Sequence, residues 1–250
     1  MGSLDSLLDD LAHRPPAEDE GSDLERCARA REILLASEDV VGDVFEATGG
    51  GEQVAVGSEA ALASVPEAKG HLLYRLARLI RPDRVVELGS AFGLSGSYLA
   101  SALETVGNGE LVTVEGSPSR HRIAAETIES VVTGRARCVL GLFDDHLHEL
   151  EGAALVFIDG NHQPDPTRRY VAAAREVGAD PCIMVLDDVR GWSEEFTSMW
   201  QDLAGDSAFS QTGEAAGVGV LVCGQAPSLG RPRSGLSGRL RSLVHKSKVR

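Results

Sequence analysis

Five short apolar segments, separated by segments of helical character, constrain the fold of this chain more than any other feature. They are RVVEL (84–88), LVTVE (111–115), ARCVLG (136–141), ALVFID (154–159) and CIMVLDD (182–188). Apolar residues follow one another within each segment instead of alternating with polar ones, which is the pattern of parallel strands covered on both faces. A further segment, VGVLVC (218–223), predicts an antiparallel last strand paired with a short one near residues 208–212. We therefore predict an α/β fold with a doubly wound, seven-stranded, mostly parallel sheet.

The chain before and after this pattern has a different character. Leucines at helical spacing in residues 4–11, and amphipathic stretches at 24–35 and 40–45, predict a helical N-terminal extension. The glycine-rich stretch 48–66 predicts a mobile loop or lid. The predicted boundaries are an extension with lid at 1–66, a ligand-binding domain at 67–224, and a basic, flexible tail at 225–250.

Charge and composition exclude several functions. The net charge is −14, and all but seven of the 24 basic residues precede residue 225, together with all 38 acidic ones. A body this acidic should repel nucleic acid and anionic membranes, so neither is an expected partner. The acidic N-terminus does not resemble a signal peptide and no run of 18 apolar residues occurs, which predicts a cytoplasmic protein. The four cysteines lack CxxC spacing and are predicted to be reduced.

Acidic residues lie at the carboxyl end of almost every predicted parallel strand. They are Glu87, Glu115, Asp159, Asp187 and Asp188. In an open α/β sheet, ligands bind outside the carboxyl ends of the strands, at the point where strand order reverses. A buried carboxylate is costly unless it is paired or bound, so these residues predict a binding site at this edge.

The first strand is followed by a glycine turn, Gly-Ser-Ala-Phe-Gly-Leu-Ser-Gly, at residues 89–96. Its spacing differs from the dinucleotide pattern G-x-G-x-x-G, and a pyrophosphate would be repelled by Glu87. A cationic nucleoside such as S-adenosylmethionine tolerates that carboxylate. Glu115 would then accept hydrogen bonds from the ribose hydroxyls, with Gly89 and Gly93 in the cofactor turn. The alternative is that the glycines only make a tight strand-to-helix turn.

Asp159, Asp187 and Asp188 are predicted to converge from two adjacent strand ends. Three unpaired anions so close would repel one another, and Mg²⁺, which prefers oxygen ligands, would relieve that repulsion. The alternative is that one or two of these aspartates cap the helices that follow. His162 lies three residues after Asp159 and is a candidate base for a hydroxyl substrate; a loop histidine bonded to backbone is the alternative. Trp192 is the candidate pocket wall, whereas the spacing of Trp200 predicts a core residue.

The motifs ELGSAFGLSG, TVEGSP, FIDGNH with PTRRY, and LDDVRGW together resemble class I S-adenosylmethionine-dependent methyltransferases. The resemblance spans residues 68–222. Within this class, the chain is most similar to bacterial O-methyltransferases related to catechol and macrolide-sugar O-methyltransferases. The resemblance implies a Rossmann-like fold. It also implies a cofactor site formed by Glu87, Gly89, Ser90, Gly93, Ser95, Glu115, Leu142, Phe143 and Asp159. It further implies a divalent-metal site formed by Asp159, Asp187 and Asp188. Leu142 and Phe143 would flank the adenine, and His162 and Asp159 would be catalytic.

The chain departs from the catechol-type members in one respect. Those members have a lysine soon after the aspartate of the fourth strand, and this chain has none there. The base role then moves to His162 or stays open. The implied reaction is metal-assisted O-methylation of a small-molecule hydroxyl. The alternatives are a non-methylating step on the same fold, such as a cyclisation or elimination, an NAD-dependent oxidoreductase, and a non-catalytic scaffold. A homodimer through the N-terminal helices is a further hypothesis, since their apolar stripes must be buried somewhere.

Overall fold

The computed structural model describes residues 3–42 and 51–224. Its α-helices are α1 (Leu4–His13), α2 (Gly21–Leu35), α3 (Val56–Ala63), α4 (Glu67–Ile80), α5 (Leu94–Val106), α6 (Pro118–Val131), α7 (Pro164–Val177) and α8 (Glu194–Ala204), with a 3₁₀ helix at Phe143–Leu150. Its strands are β1 (Val40–Gly42), β2 (Gln53–Ala55), β3 (Arg84–Leu88), β4 (Glu110–Glu115), β5 (Ala136–Leu140), β6 (Leu155–Ile158), β7 (Cys182–Leu186), β8 (Gln211–Ala215) and β9 (Val218–Cys223).

Strands β3 to β9 form one sheet in the order β5-β4-β3-β6-β7-β9-β8. Its first five strands are parallel, and β9 runs antiparallel to both β7 and β8. Strand order reverses at β3, which lies between β4 and β6. The predicted seven-stranded, doubly wound sheet with an antiparallel last strand is thus confirmed, and its switch point lies at the carboxyl end of β3.

The apolar runs form the central strands because helices cover both faces of the sheet. Every residue of β6 and β7 is buried, and two clusters of buried apolar side chains form the core. Ser117 and Ser193 cap α6 and α8, since their hydroxyls accept from the backbone N–H of Arg120 and Phe196. The pair Asp165-Pro166, like Ser117-Pro118, predicts a capping residue followed by a first-turn proline, but the residue before α7 is Gln163. That helix begins two residues earlier than predicted, at Pro164, whose fixed φ suits the first turn.

The N-terminal extension packs against the sheet domain. Helix α1 contacts α4 and β8, and α2 contacts α5. The apolar stripes of both helices are buried within the chain, at Leu7, Leu8 and Leu11 in α1 and at Leu24, Cys27, Ala30 and Leu34 in α2. The argument for a homodimer therefore loses its premise, and the dimer stays a prediction.

Two local predictions for residues 40–66 were wrong. The start of the third amphipathic stretch is strand β1, which pairs with β2 through Val41 and Val54; residues 43–50 lie outside the described part. The predicted lid loop contains β2 and helix α3, because pairing with β1 orders a stretch whose own pattern predicts a loop. The predicted flexible tail, residues 225–250, also lies outside the described residues. No helix in the described ranges is both long and apolar enough to cross a bilayer.

Candidate active site

The glycine turn after β3 lies against other parts of the chain. Gly89 has φ +111°, and a Cβ there would lie 1.9 Å from the carbonyl oxygen of Asp159. Gly93 has φ +84°, and a Cβ there would lie 2.6 Å from the carbonyl oxygen of Ala124 in α6. Both positions require glycine for conformation and for space. The turn thereby brings the end of β3 directly against the end of β6.

Glu87 is a fully buried carboxyl group at this turn. The Thr113 hydroxyl donates to its Oε2 at 2.5 Å, whereas Oε1 has no hydrogen-bond partner among the described residues. Burial raises the pKa of Glu87 to about 7, although the hydroxyls of Ser95 and Thr113 oppose that rise. The Ser90 hydroxyl also bonds to that of Thr113. Glu87, Ser90 and Ser95 thus lie together, as their shared predicted role requires.

Glu115 ties the loops after β3 and β4 together. Its two oxygens accept from the backbone N–H groups of Ala91 and Ser117, each at 2.9 Å. Burial raises the pKa of Glu115, and these N–H groups act in the opposite direction. The backbone thus fixes the carboxylate at the end of β4. Each oxygen keeps a second lone pair for another donor, and its contact with a ribose stays a prediction.

Leu142 and Phe143 follow β5 at the same edge of the sheet. Leu142 is 47% exposed. The Phe143 ring packs edge-on against Tyr170, with centroids 5.8 Å apart, and lies beside Gly160, where a Cβ would approach the ring to 2.9 Å. An exposed leucine and a packed phenylalanine thus lie next to the loop after β6. Their contact with an adenine stays a prediction.

The aspartates at the ends of β6 and β7 surround a buried lysine that the sequence analysis missed. Lys69, in the first turn of α4, bonds through Nζ to Oδ1 of Asp187 and lies 3.3 Å from Oδ1 of Asp188. The Lys69 side chain is 8% exposed and that of Asp187 5%, whereas that of Asp188 is 40% exposed. Asp159 contacts Asp187, and Asp187 and Asp188 both contact the ammonium group, but among the described residues the three carboxylates are not close enough to one another to form a ligand set for one ion.

Burial and charge set the protonation of this cluster. Burial, the Asp187 carboxylate and a hydrogen bond between the two carboxyl groups raise the pKa of Asp159. Burial alone would lower the pKa of Lys69, but Asp187 and Asp188 more than offset it, so the pKa of Lys69 is raised. Lys69 is therefore positively charged at neutral pH and partly neutralises the acidic cluster.

This arrangement does not fit the predicted divalent metal. The metal was inferred to relieve repulsion among three unpaired anions, and Lys69 already relieves it. A divalent ion bound to the Oδ1 atoms of Asp187 and Asp188 would lie against the ammonium that these atoms hold. Two cations at that separation repel strongly in a buried site. As the side chains are arranged, no metal fits.

His162 lies beside the cluster, as expected for a base. Its Nε2 is 3.8 Å from Oδ1 of Asp159. Its ring packs on Trp192, with centroids 4.4 Å apart, and edge-on against Phe196 at 5.6 Å. Burial lowers the pKa of His162, although Asp188 and Asp187 act in the opposite direction, so the imidazole is neutral at pH 7. Trp200 is in the core, as its helical spacing predicted, and Trp192 is 57% exposed. A role of Trp192 as a pocket wall stays a prediction.

Backbone strain marks the same edge. Ala91, Asn161 and Asp188 have φ between +44° and +50°, a region that costs energy for residues other than glycine. Each of them follows one of the strands β3, β6 and β7. Left-handed backbone at non-glycine positions clusters at functional sites, which supports this edge as the active site. The sequence contains no signal for this strain.

The sequence did contain one signal for Lys69. The chain has three lysines, and Lys69 is the only one before residue 246; all other Lys or Arg positions in residues 1–224 are arginine. Lys69 also lies three residues before Leu72 and therefore on the apolar side of α4. A single lysine on a buried helix face, in a chain that otherwise uses arginine, indicates a special role.

Comparison with known proteins agrees with this geometry. A family profile described as a methyltransferase domain matches residues 86–189, which contain the glycine turn, Glu115, Asp159 and the aspartate pair. Residues 86–189 thus match the kind of domain that the motif resemblance to class I S-adenosylmethionine-dependent methyltransferases predicts. The resemblance inferred from the motifs is thus confirmed.

Individual relatives of this family are moderately similar. A candidate O-methyltransferase from Mycobacterium sp. (strain KMS) is 34% identical over 147 residues, which are 57% of this chain and 64% of that protein. A catechol O-methyltransferase from Niastella koreensis is 30% identical over 132 residues, covering 50% of this chain and 58% of that protein. The match thus spans less than two thirds of the length of these relatives.

Solved structures of O-methyltransferases share the fold of this chain. The O-methyltransferase TomG from Streptomyces achromogenes, in complex with S-adenosylmethionine, superposes with a TM-score of 0.57 at 23% identity, over 85% of this chain and 92% of that one. An O-methyltransferase from Bacillus cereus, in complex with S-adenosylhomocysteine, gives 0.56 at 19% identity, over 89% and 97%. At these identities the likeness supports the fold alone.

Proposed function

We propose that the protein is an S-adenosylmethionine-dependent O-methyltransferase that acts on a hydroxyl group of a small molecule. The observation that carries the proposal is the position of His162, whose Nε2 lies 3.8 Å from Asp159 at the switch point of the sheet. A neutral imidazole at the edge where the cofactor of this family binds is suited to accept a proton from an acceptor hydroxyl. The family match and the O-methyltransferase relatives support the same reaction.

The cofactor site is proposed to lie over the turn after β3. Because Gly89 has no side chain, this turn can lie against the end of β6. Glu87, Ser90 and Ser95 line the turn. Glu115 would bind the ribose, and Leu142 and Phe143 would flank the adenine. Acidic groups dominate this edge, which suits a cofactor whose sulfonium is cationic.

For methyl transfer, the protein must mainly orient the acceptor, because the methyl group of the cofactor is already activated. The sulfonium supplies an activated methyl group when the cofactor is bound, and the protein must hold the acceptor oxygen in line with it. His162 would take the proton of the acceptor, while Trp192 holds the imidazole in place and forms an exposed wall beside it. Metal assistance, predicted from the resemblance, is not part of this proposal because the Lys69 ammonium lies against two of the carboxylates that would hold the metal.

Calorimetric titration with S-adenosylmethionine and S-adenosylhomocysteine tests the cofactor, and transfer of a radiolabelled methyl group to a panel of small phenols and sugar hydroxyls tests the reaction. We expect both cofactors to bind at one site per chain, and label to enter at least one hydroxyl compound. Failure of both cofactors to bind would overturn the proposal. Conversion of an acceptor without transfer of label would favour the non-methylating alternative.

The division of the chain is also proposed on this basis. Residues 67–224 contain every residue assigned to the cofactor and to the acceptor. Residues 1–66 would cover the acceptor side, because α1 and α2 pack on α4, α5 and β8.

A further inference from the structure

Lys69 occupies a position that is unusual for a lysine. Its side chain is 8% exposed, and its Nζ bonds to Asp187 and Asp188 at the carboxyl end of β7. Charged lysines are rarely buried to this extent unless they are paired. Helix α4 lies outside the matched family region, residues 86–189, so the cation enters the site from a different part of the chain than the carboxylates.

The choice of lysine is also informative. Every other Lys or Arg position in residues 1–224 is arginine. Arginine has a broad planar fork, whereas the lysine ammonium is a compact point charge with three donors. A compact charge held by aspartate oxygens is the closest side-chain counterpart of a bound metal ion. A general need for positive charge would have been met by another arginine.

We propose that Lys69 is the resident cation of the acceptor site, taking the position that a divalent metal would occupy, so that the protein binds no metal there. This inference rests on the proposed function. The inference adds that the positive charge beside the acceptor oxygen comes from a lysine side chain and not from a bound metal ion. Lys69 orients the acceptor by a hydrogen bond and stabilises the negative charge that develops on its oxygen.

The donor count of Lys69 supports this role. An ammonium has three N–H donors, and two of them are directed to Asp187 and Asp188. Within the described residues the third has no hydrogen-bond acceptor, and it is available for the acceptor oxygen. In the reaction, the oxygen forms a bond to the methyl carbon as the S–CH₃ bond breaks. The electron pair of that bond stays on sulfur, giving a neutral thioether, and the hydroxyl proton goes to Nε2 of His162.

The test is metal binding, measured with Mn²⁺ on the full chain by calorimetry and electron paramagnetic resonance. Wild-type protein should bind no Mn²⁺ at this site at millimolar concentration. Lys69→Met removes the ammonium and leaves the carboxylates, so it should gain one Mn²⁺ per chain. We expect at least ~100-fold tighter binding than in wild type, because a cation–cation repulsion at about 4 Å has been removed.

Two further variants control the experiment. Lys69→Arg keeps the charge and should not gain Mn²⁺. Asp187→Asn in the Lys69→Met background should lose the gain, which assigns the ion to this cluster. If Lys69→Met does not fold, Lys69→Gln replaces it as the neutral variant, and the wild-type titration is informative without any variant.

The outcomes separate this inference from the proposed function. Binding of one Mn²⁺ by wild type that is lost in Asp187→Asn would overturn the inference, and so would a folded Lys69→Met that gains no Mn²⁺. Titration with S-adenosylhomocysteine in the same samples tests the cofactor independently. Cofactor binding together with Mn²⁺ binding by wild type would keep the methyltransferase and restore the metal mechanism.

Discussion

Helix α4 carries two buried cations, and they differ in the charge that surrounds them. Arg75 has a side chain that is 1% exposed, and it bonds to Glu20 at 3.1 Å and to the carbonyl oxygen of Leu11 at 2.7 Å. Arg14 binds the same glutamate. Arg78 also lies 3.6 Å from Oε1 of Glu20, so three arginines surround one carboxylate. Lys69 is one ammonium among three aspartates, with the unpaired oxygen of Glu87 on the adjacent strand.

The difference separates a fully paired cluster, which we assign a structural role, from one with surplus negative charge, for which a functional role is proposed. Around Arg75 the carboxylate is fully paired and backbone oxygens take further donors, so the cluster holds α1 and the chain before α2 on the sheet domain. Around Lys69 anionic groups exceed cationic ones, and such an excess is costly unless a ligand uses it. A cationic cofactor and an acceptor hydroxyl are ligands that would use it.

The largest expected effect is the loss of stability when Arg75 is replaced. Arg75→Met leaves Glu20 buried with less compensation, which should lower the free energy of unfolding by about 3–5 kcal/mol. Urea denaturation followed by circular dichroism measures this. The control is Arg122→Met, whose partner Glu126 is exposed, and it should change the stability by less than about 0.5 kcal/mol. Equal, small losses in both variants would contradict the structural role of Arg75.

The second prediction concerns Glu87, whose pKa is raised to about 7 from an ordinary 4.5. Because the folded protein holds this proton more tightly, wild-type stability should fall as pH rises from 4.5 to 7. The contribution of Glu87 to this fall is of the order of 3 kcal/mol. Glu87→Gln should remove it, so the difference between the two curves should grow with pH over this window. Parallel curves would mean that Glu87 is charged in the folded state.

The third prediction concerns His162. His162→Gln keeps a polar side chain but cannot act as a base, so methyl transfer should fall by about 100-fold. The affinity for S-adenosylhomocysteine should stay within about twofold, because the proposed role involves the acceptor. Label transfer and calorimetry measure the two effects. If the variant loses both cofactor binding and methyl transfer, the imidazole has a structural role instead.

The smallest loss of stability is expected for substitution of Asp188, and it ranks the two aspartates that contact Lys69. Its side chain is 40% exposed and 3.3 Å from Lys69, so Asp188→Asn should cost less than about 1 kcal/mol of stability. Asp187→Asn removes the buried partner of Lys69 and should cost more. Thermal unfolding of both variants measures the order. The reverse order would mean that Asp188 is the main counter-ion of Lys69.

Most of the sheet could be predicted from the sequence because its strands are buried on both faces. The runs at 84–88, 111–115 and 182–186 are apolar enough to predict strands without tertiary information, and the carboxylates after them predict the edge that binds ligands. The caps at Ser117 and Ser193 are local signals. The start of α7 at Pro164 was missed by two residues, since Pro164 and Pro166 are both suited to the first turn of a helix.

The rest depends on contacts that local patterns do not contain. Strand β2 forms because β1 pairs with it, and its own stretch is glycine-rich. Lys69 is 118 residues from Asp187, so its role could not be read from the loop where a family lysine was expected. Buried Glu20 and Arg75 belong to segments whose patterns predict only amphipathic helices.

The most direct test of the account is calorimetric titration of the wild-type chain with S-adenosylhomocysteine, first after chelation with EDTA and then with added Mg²⁺. We predict one binding site per chain with the same affinity in both conditions, because the site contains its own cation. Absence of binding in both conditions would contradict the proposed cofactor site. Binding that appears only with Mg²⁺ would keep the cofactor and contradict the role assigned to Lys69.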